Sequence, residues 1–214
     1  MSVKKYSLKA DGNTKLSDNF KVKEFACKDG SDEVLISDEL VTALQKIRTH
    51  FGKAVTITSA YRTKAHNKKV GGATSSQHLK GTAADIKVSD TGPLVVALYA
   101  QSLGVKGIGL YSYISGGFVH IDVRNGKSRW VQTSSNSGYS TVSQIMPTVK
   151  KGTNGKAVTV LQRKLNTLGY KCGTADGKCG ANTVKAIKAF QAAHKLTADG
   201  IAGKNTWAKI AEEV

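Results

Sequence analysis

Three side chains in this sequence have the types and spacing to hold a metal ion. His78 and Asp85 stand seven residues apart in Ser75-Ser76-Gln77-His78-Leu79-Lys80-Gly81-Thr82-Ala83-Ala84-Asp85, and His120 follows 35 residues later in Phe118-Val119-His120-Ile121-Asp122. Two imidazoles and one carboxylate, with a fourth position left to water, are the ligand set of a catalytic zinc site and hence of a hydrolase. A single His on an apolar strand is more often a packed core residue, so it is the combination that points to metal. His120 and Asp122 are i and i+2 on one strand and share a face. Asp122 is therefore the expected general base, a carboxylate placed to take a proton from water whose pKa zinc brings to about 7, the alternative being that it holds a ligand or Arg124 in place.

The elements that must position these groups follow from periodicity. Leu40, Leu44, Ile47 and Phe51 recur at helical steps and predict a helix over residues 36–51, capped by Ser37 or Asp38. Val55-Thr56-Ile57-Thr58-Ser59 alternates and is β-branched, which predicts a strand. The polar, glycine-containing stretch 63–82 reads as a long loop, with Ser75 and Ser76 stabilising it rather than acting as nucleophiles, and Gly81 letting it fold back. Ala84–Val88 reads as a strand, 92–103 as a helix opened by Gly92-Pro93, and 107–111 and 117–123 as a closing pair of strands. Tyr61 and Tyr111, beside strand ends, read as packing. The pattern is α+β, with a small, mostly antiparallel sheet.

Residues 132–147 are rich in Ser, Thr and Asn and read as a linker. Beyond them the apolar stripes are helical: Val158, Leu161, Leu165 and Leu168, then Val184, Ile187 and Phe190, then Trp207 and Ile210. An internal repeat aligns Asp176–Ile187 with Asp199–Ile210 at an offset of 23 residues. Each copy has a glycine turn, then an Asn-Thr pair expected to cap a helix, so this part reads as a small three-helix module. Cys172 and Cys179 are either the ends of a short disulfide loop or two buried thiols, and no second pair follows to make a zinc ribbon.

The net charge is +17, and residues 141–214 carry 12 basic against 4 acidic side chains. A surface this basic calls for a polyanionic partner. Nucleic acid is not expected, because no basic-aromatic stripe or reader motif accompanies the charge. No stretch approaches the roughly 18 apolar residues of a membrane span. Met1–Lys9 has charge but no apolar region behind it, which makes a poor secretory signal. The expectation is a monomer that stays cytoplasmic until its release.

At the metal-ligand residues the chain resembles the D-alanyl-D-alanine carboxypeptidase (VanY-like) zinc peptidases, whose fold is shared with the hedgehog signalling domain. Ser76, His78, Gly81, Ala83, Asp85 and His120 match the pattern S-x-H-x-x-G-x-A-x-D followed by a distal His, and Ser59-Ala60-Tyr61-Arg62 matches a strand end of the form S-x-Y-R. The resemblance covers about residues 15–130. It implies Zn²⁺ held by His78, Asp85 and His120, with Arg62 binding substrate and polarising the scissile carbonyl. Many relatives carry an acid three residues before the distal His; here that position is Gly117.

The last part, about residues 148–213, is similar to the peptidoglycan-binding-domain-1 motif, with Cys179 where an aromatic is common. The domains implied are a zinc peptidase over 1–131, a linker over 132–147 and a wall-binding module over 148–214. Together the resemblances imply a zinc metallopeptidase that cuts an amide bond in the peptidoglycan stem peptide, as an endopeptidase or a D,D-carboxypeptidase, acting on the cell wall among its anionic polymers, and the poor secretory signal adds the expectation of a phage or prophage endolysin. The competing readings are an N-acetylmuramoyl-L-alanine amidase, against which the ligand order His, Asp, His argues, and a non-catalytic wall-binding protein with a structural zinc.

Overall fold

In the computed structural model, Val3–Ser7 (β1) and Glu33–Ser37 (β2) pair antiparallel as a two-stranded ribbon. Val55–Ser59 (β3), Ala83–Val88 (β4), Gly107–Tyr111 (β5), Phe118–Asp122 (β6) and Ser128–Gln132 (β7) form a five-stranded sheet in the order β3-β4-β6-β5-β7. Its neighbours are antiparallel except β5 and β7, which run parallel. Four helices belong to the same unit: Leu8–Asp11 (α1), Asp38–Phe51 (α2), Lys64–Lys69 (α3) and Pro93–Ser102 (α4). The structure describes residues 2–111, 117–132 and 148–213.

Alternation along the central strands separates two faces. Ile86, Ile108, Leu110, Val119 and Ile121 are fully or almost fully buried and form the apolar face, against which α2 and α4 pack. Each such side chain contributes about 1.5–3 kcal/mol of burial. The intervening residues, Asp85, His120 and Asp122, project from the other face, where glycines stand at 107 and 109. Helix α2 buries Leu40, Val41, Ala43, Leu44 and Ile47. Its start is set by Ser37, whose hydroxyl accepts from the Leu40 N–H while donating to Glu39, and its end by left-handed Gly52.

The expected long loop over 63–82 is partly helical. Thr63 caps α3, and Gln77–Lys80 forms a 3-10 turn capped by Ser76. A six-residue helix that buries only Asn67 carries no apolar stripe, so periodicity cannot reveal it. Gly81 ends the 3-10 turn in the left-handed region, and a Cβ there would stand 2.3 Å from the Leu35 carbonyl oxygen. Gln132, expected to open the linker, is the last residue of β7; the rest of that stretch, 133–147, lies outside the described residues.

The chain divides into two compact units, Met1–Tyr139 and Ser140–Val214. The second contains Lys156–Thr167 (α5), Ala181–Ala193 (α6) and Lys204–Glu213 (α7). Val158, Leu161, Leu165, Ile187, Phe190, Trp207 and Ile210 form its core. Cys172 and Cys179 are free, buried thiols. Among the described residues no helix is long and apolar enough to cross a membrane.

The repeat is held by a device that its apolar pattern does not show. Gln162, buried on α5, donates through Nε2 to Asp176 Oδ1, the Lys178 carbonyl and Thr183 Oγ1, and accepts from the Gly177 N–H. Gln191 on α6 repeats this with Asp199, the Ile201 carbonyl, Thr206 and Gly200. The Asn-Thr pairs are therefore not caps, as expected from sequence. The N-cap of α6 is Gly180, and Thr183 lies inside the helix as a hydrogen-bond partner of Gln162. Each glutamine ties one helix to the turn and first helical turn of the next.

Replacing Gln162 or Gln191 by Ala strands several buried donors and acceptors, so each substitution is expected to lower stability by about 1–3 kcal/mol. Thermal unfolding of the full chain, followed in the transition of the C-terminal unit, checks this. A second expectation concerns Lys164, whose ammonium burial pulls down from 10.5 to about 8. Between those values the unfolded chain binds more protons, so stability rises with pH through that window. Lys164→Met should raise Tm at neutral pH and flatten the rise, which a pH series of melts would test.

Candidate metal centre

The cluster begins with one register. Asp85 of β4 and His120 of β6 are directly opposed across an antiparallel pair, which brings their side chains together on the polar face. His78 arrives from the 3-10 turn, placed by Ser76 Oγ, which accepts from the His78 N–H, and by the turn at Gly81. One ligand atom from each of His78, Asp85 and His120 lies within 4.8 Å of the others. His78 Nε2 is 3.1 Å from His120 Nδ1, and Asp85 Oδ1 is 2.9 Å from His120 Nδ1 and 3.3 Å from His78 Nε2. All three residues are buried, with 3–7% of their surface exposed.

The outer nitrogens decide what the inner ones offer. His78 Nδ1 is 2.6 Å from the Ala60 carbonyl oxygen, which can only accept, so that nitrogen carries the proton and Nε2 presents a lone pair. His120 Nε2 is 3.0 Å from Asp122 Oδ2, which fixes the opposite tautomer and turns the Nδ1 lone pair inward. Two imidazole lone pairs and a carboxylate oxygen thus converge on one point. Three electron-pair donors in contact repel one another unless a cation lies among them, and two nitrogens with one oxygen suit zinc. Burial pushes the Asp85 carboxyl up, and its contacts with the His120 and His78 rings outweigh this, holding it well below the usual carboxylate range.

Arg62 grips the outer oxygen of Asp85 through Nη2 at 2.7 Å, and its Nε donates to Ser59 Oγ at 2.8 Å. Its backbone N–H donates to the His78 carbonyl, so one residue braces two members of the cluster. Among the described residues its Nη1 has no partner, and the side chain lines a cleft of about 780 Å³ that also contains His78, Asp85 and His120. Tyr111, Phe118 and Trp130 line the same cleft. Tyr111 and Phe118 stack at 4.5 Å, Tyr111 Oη accepts from Trp130 Nε1, and Tyr61, away from the cleft, donates to Glu33.

Asp122 is placed otherwise than a general base requires. It is 0% exposed, and its oxygens are taken by His120 Nε2 and by the guanidinium and backbone N–H of Arg124. It lies behind the His120 ring, on the nitrogen opposite the cluster. Sharing a face on one strand is compatible with both arrangements, and it is the direction of the ring that separates them. Burial raises the Asp122 carboxyl, and the bonds to His120 and Arg124 more than reverse this, so it stays ionised as an acceptor. Among the described residues lining the cleft the only acid is Asp85.

The sequence named Arg124 only as a group that Asp122 could hold, and did not mark Trp130 or the β5 glycines as site residues. A Cβ at Gly107 would stand 2.0 Å from Asp122 Oδ2, and one at Gly109 would stand 2.3 Å from the Trp130 ring. The signal was present in Gly107-Ile108-Gly109, two glycines on one face of a predicted strand, which marks close approach by other groups.

Residues 17–122 match the peptidase M15 family, and residues 154–210 match the peptidoglycan binding domain. The N-terminal unit belongs to the peptidase M15 family, and a peptidoglycan-binding module follows it. The chain is also similar to an "Uncharacterized protein in bpoA1 3'region" of Kitasatospora aureofaciens, with 40% identity over 74 residues, which is 34% of this chain and 60% of that protein. The chain therefore spans about three-fifths of the length of this curated relative.

Among solved structures, the SleB N-terminal domain is 31% identical, with a TM-score of 0.31 over 32% of this chain and 93% of the other. A Burkholderia AP3 phage endolysin is 40% identical, with a TM-score of 0.30 over 32% of this chain and 26% of the other. A peptidoglycan-binding protein from Clostridioides difficile is 38% identical, with a TM-score of 0.30 over 31% and 41%.

Zinc that binds the folded cluster and not the unfolded chain stabilises by mass action, about 2.7 kcal/mol at a hundredfold excess over Kd. Adding zinc to metal-stripped protein should raise the Tm of the N-terminal unit, and a chelator should reverse it. His78→Ala and Asp85→Asn should abolish the shift, as differential scanning fluorimetry would read.

Proposed function

We propose that the chain is a zinc-dependent peptidoglycan peptidase of the endolysin type, cutting an amide bond in the stem peptide. The observation that carries this reading is the convergence of the His78, Asp85 and His120 lone pairs in a peptidase M15 unit that precedes a peptidoglycan-binding module. The domains read as a peptidase over 1–131, a linker over 132–147 and a wall-binding module over 148–214.

His78, Asp85 and His120 hold the metal, which when bound acts as a Lewis acid on a carbonyl oxygen and makes water a nucleophile at neutral pH. Arg62 keeps Asp85 oriented and lines the cleft, where a substrate carbonyl oxygen develops charge. Asp122 accepts from His120 and holds its ring in position rather than moving the reaction's proton. The aromatic wall of Tyr111, Phe118 and Trp130 bounds the cleft and limits water at its floor. Tethering to the wall raises the effective concentration of the peptidase at an insoluble substrate. The positive charge adds attraction to anionic wall polymers.

The test is digestion of purified peptidoglycan by the zinc-loaded chain, with mass spectrometry of the released fragments. Cleavage within the stem peptide, lost on chelation and in His120→Ala, is the expected result. Release of intact stem peptides from the sugar would point instead to an amidase, and no release by zinc-replete, folded protein would reject the enzyme. Arg62→Met should lower kcat by at least about 10²-fold, the usual effect of removing one oxyanion donor.

A further inference from the structure

One chain of contacts runs from the cleft wall to the cluster, and within it Arg124 has no role given above. Arg124 meets Asp122 with Nε at 2.7 Å from Oδ1 and Nη2 at 2.5 Å from Oδ2, while its backbone N–H donates to Oδ1 at 3.1 Å. Asp122 Oδ2 is also the oxygen that accepts from His120 Nε2. The guanidinium in turn lies over Trp130, 5.4 Å from the ring centroid. Trp130 is itself held by its bond to Tyr111 Oη and packs 5.1 Å from the His120 ring. Two glycines of β5 make room for this assembly, Gly107 under Asp122 and Gly109 under Trp130.

A carboxylate held at one oxygen alone can swing about its χ angles. Held by a fork and a backbone N–H, it can present Oδ2 in one direction only. We propose that Arg124, backed by Trp130, is a positioning residue that acts through Asp122 to fix the His120 ring with Nδ1 facing His78 and Asp85. This rests on the metal reading of the cluster, but its immediate consequence is a property of the metal-free protein. His120 Nε2 is committed as a donor to Asp122 before any ion arrives, which leaves Nδ1 facing His78 and Asp85. Arg124 is not catalytic in this scheme, since it reaches the cluster only through another side chain.

The experiment compares wild type, Arg124→Gln and Arg124→Lys by two measurements. Imidazole nitrogen NMR of metal-free protein reads the His120 tautomer, and competition with a chromophoric chelator reads zinc affinity. Arg124→Gln should show mixed His120 tautomers and bind zinc about 10-fold or more weakly, the usual cost of losing such support. Arg124→Lys, which keeps the charge without the fork, should fall between.

A folded Arg124→Gln protein with the wild-type tautomer and wild-type zinc affinity would overturn the proposal. Should wild type bind no zinc, the proposed function fails, while the tautomer comparison still decides the role of Arg124. If Arg124→Gln does not fold, Trp130→Leu, which leaves the ion pair in place, is read by the same two measurements. Wild-type values in both would then overturn the proposal.

Discussion

The opposition of Asp85 and His120 across β4 and β6 is the constraint on which the rest of the site depends. It places a carboxylate and an imidazole in contact on one face while Ile86, Val119 and Ile121 enter the core on the other. A slip of one residue would exchange the two sets, exposing the core and burying the cluster among apolar side chains. The register that stabilises the sheet and the register that builds the cluster are the same, so packing energy holds the polar geometry. The remaining parts are attached to this pair: His78 by its turn, Arg62 by the end of β3, and Asp122 by lying two residues along the same strand.

Both imidazoles are oriented by groups that leave no choice of proton. A backbone carbonyl holds His78 and a paired carboxylate holds His120, at opposite ring nitrogens. Binding an ion here requires no tautomer exchange and little rotation, so little of the binding energy goes to reorganisation. The glycines at 107 and 109 belong to the same economy. Strand interiors lose stability with glycine, and here the vacated volume is filled by a carboxylate and an indole that stand behind His120.

Much of this was legible in the residues. Strands β3, β4, β5 and β6 and helix α2 could be read from their residue patterns and α4 from its Gly92-Pro93 opening, and the spacing of His78, Asp85 and His120 marked three side chains that the fold brings within 4.8 Å. What escaped had no local signal. Strand β7 is five residues behind a polar turn, and Trp130 matters because β7 lies beside β5, a pairing that no spacing encodes. The glutamine ties of the C-terminal unit are invisible to an apolar pattern, since Gln162 and Gln191 look like surface residues until their four bonds are counted. The direction of the His120 ring is the clearest case. The pair His120-x-Asp122 fits a base facing the cluster and a brace behind it equally well, and only the contact of Asp122 with Nε2, the nitrogen opposite the cluster, decides between them.

The absence of an acid at Gly117 then has an electrostatic meaning. Of the two carboxylates near the cluster, Asp85 shares its charge with Arg62 and Asp122 shares its charge with Arg124. These are two near-neutral pairs beside two neutral imidazoles. A dication held there would keep most of its charge for the groups entering the cleft, because the protein supplies little surplus negative charge to cancel it. A free carboxylate facing the cleft would reduce that field while offering a base. Among the described residues no carboxylate but Asp85 lines the cleft, so a cation held there would act on groups entering it chiefly through polarisation.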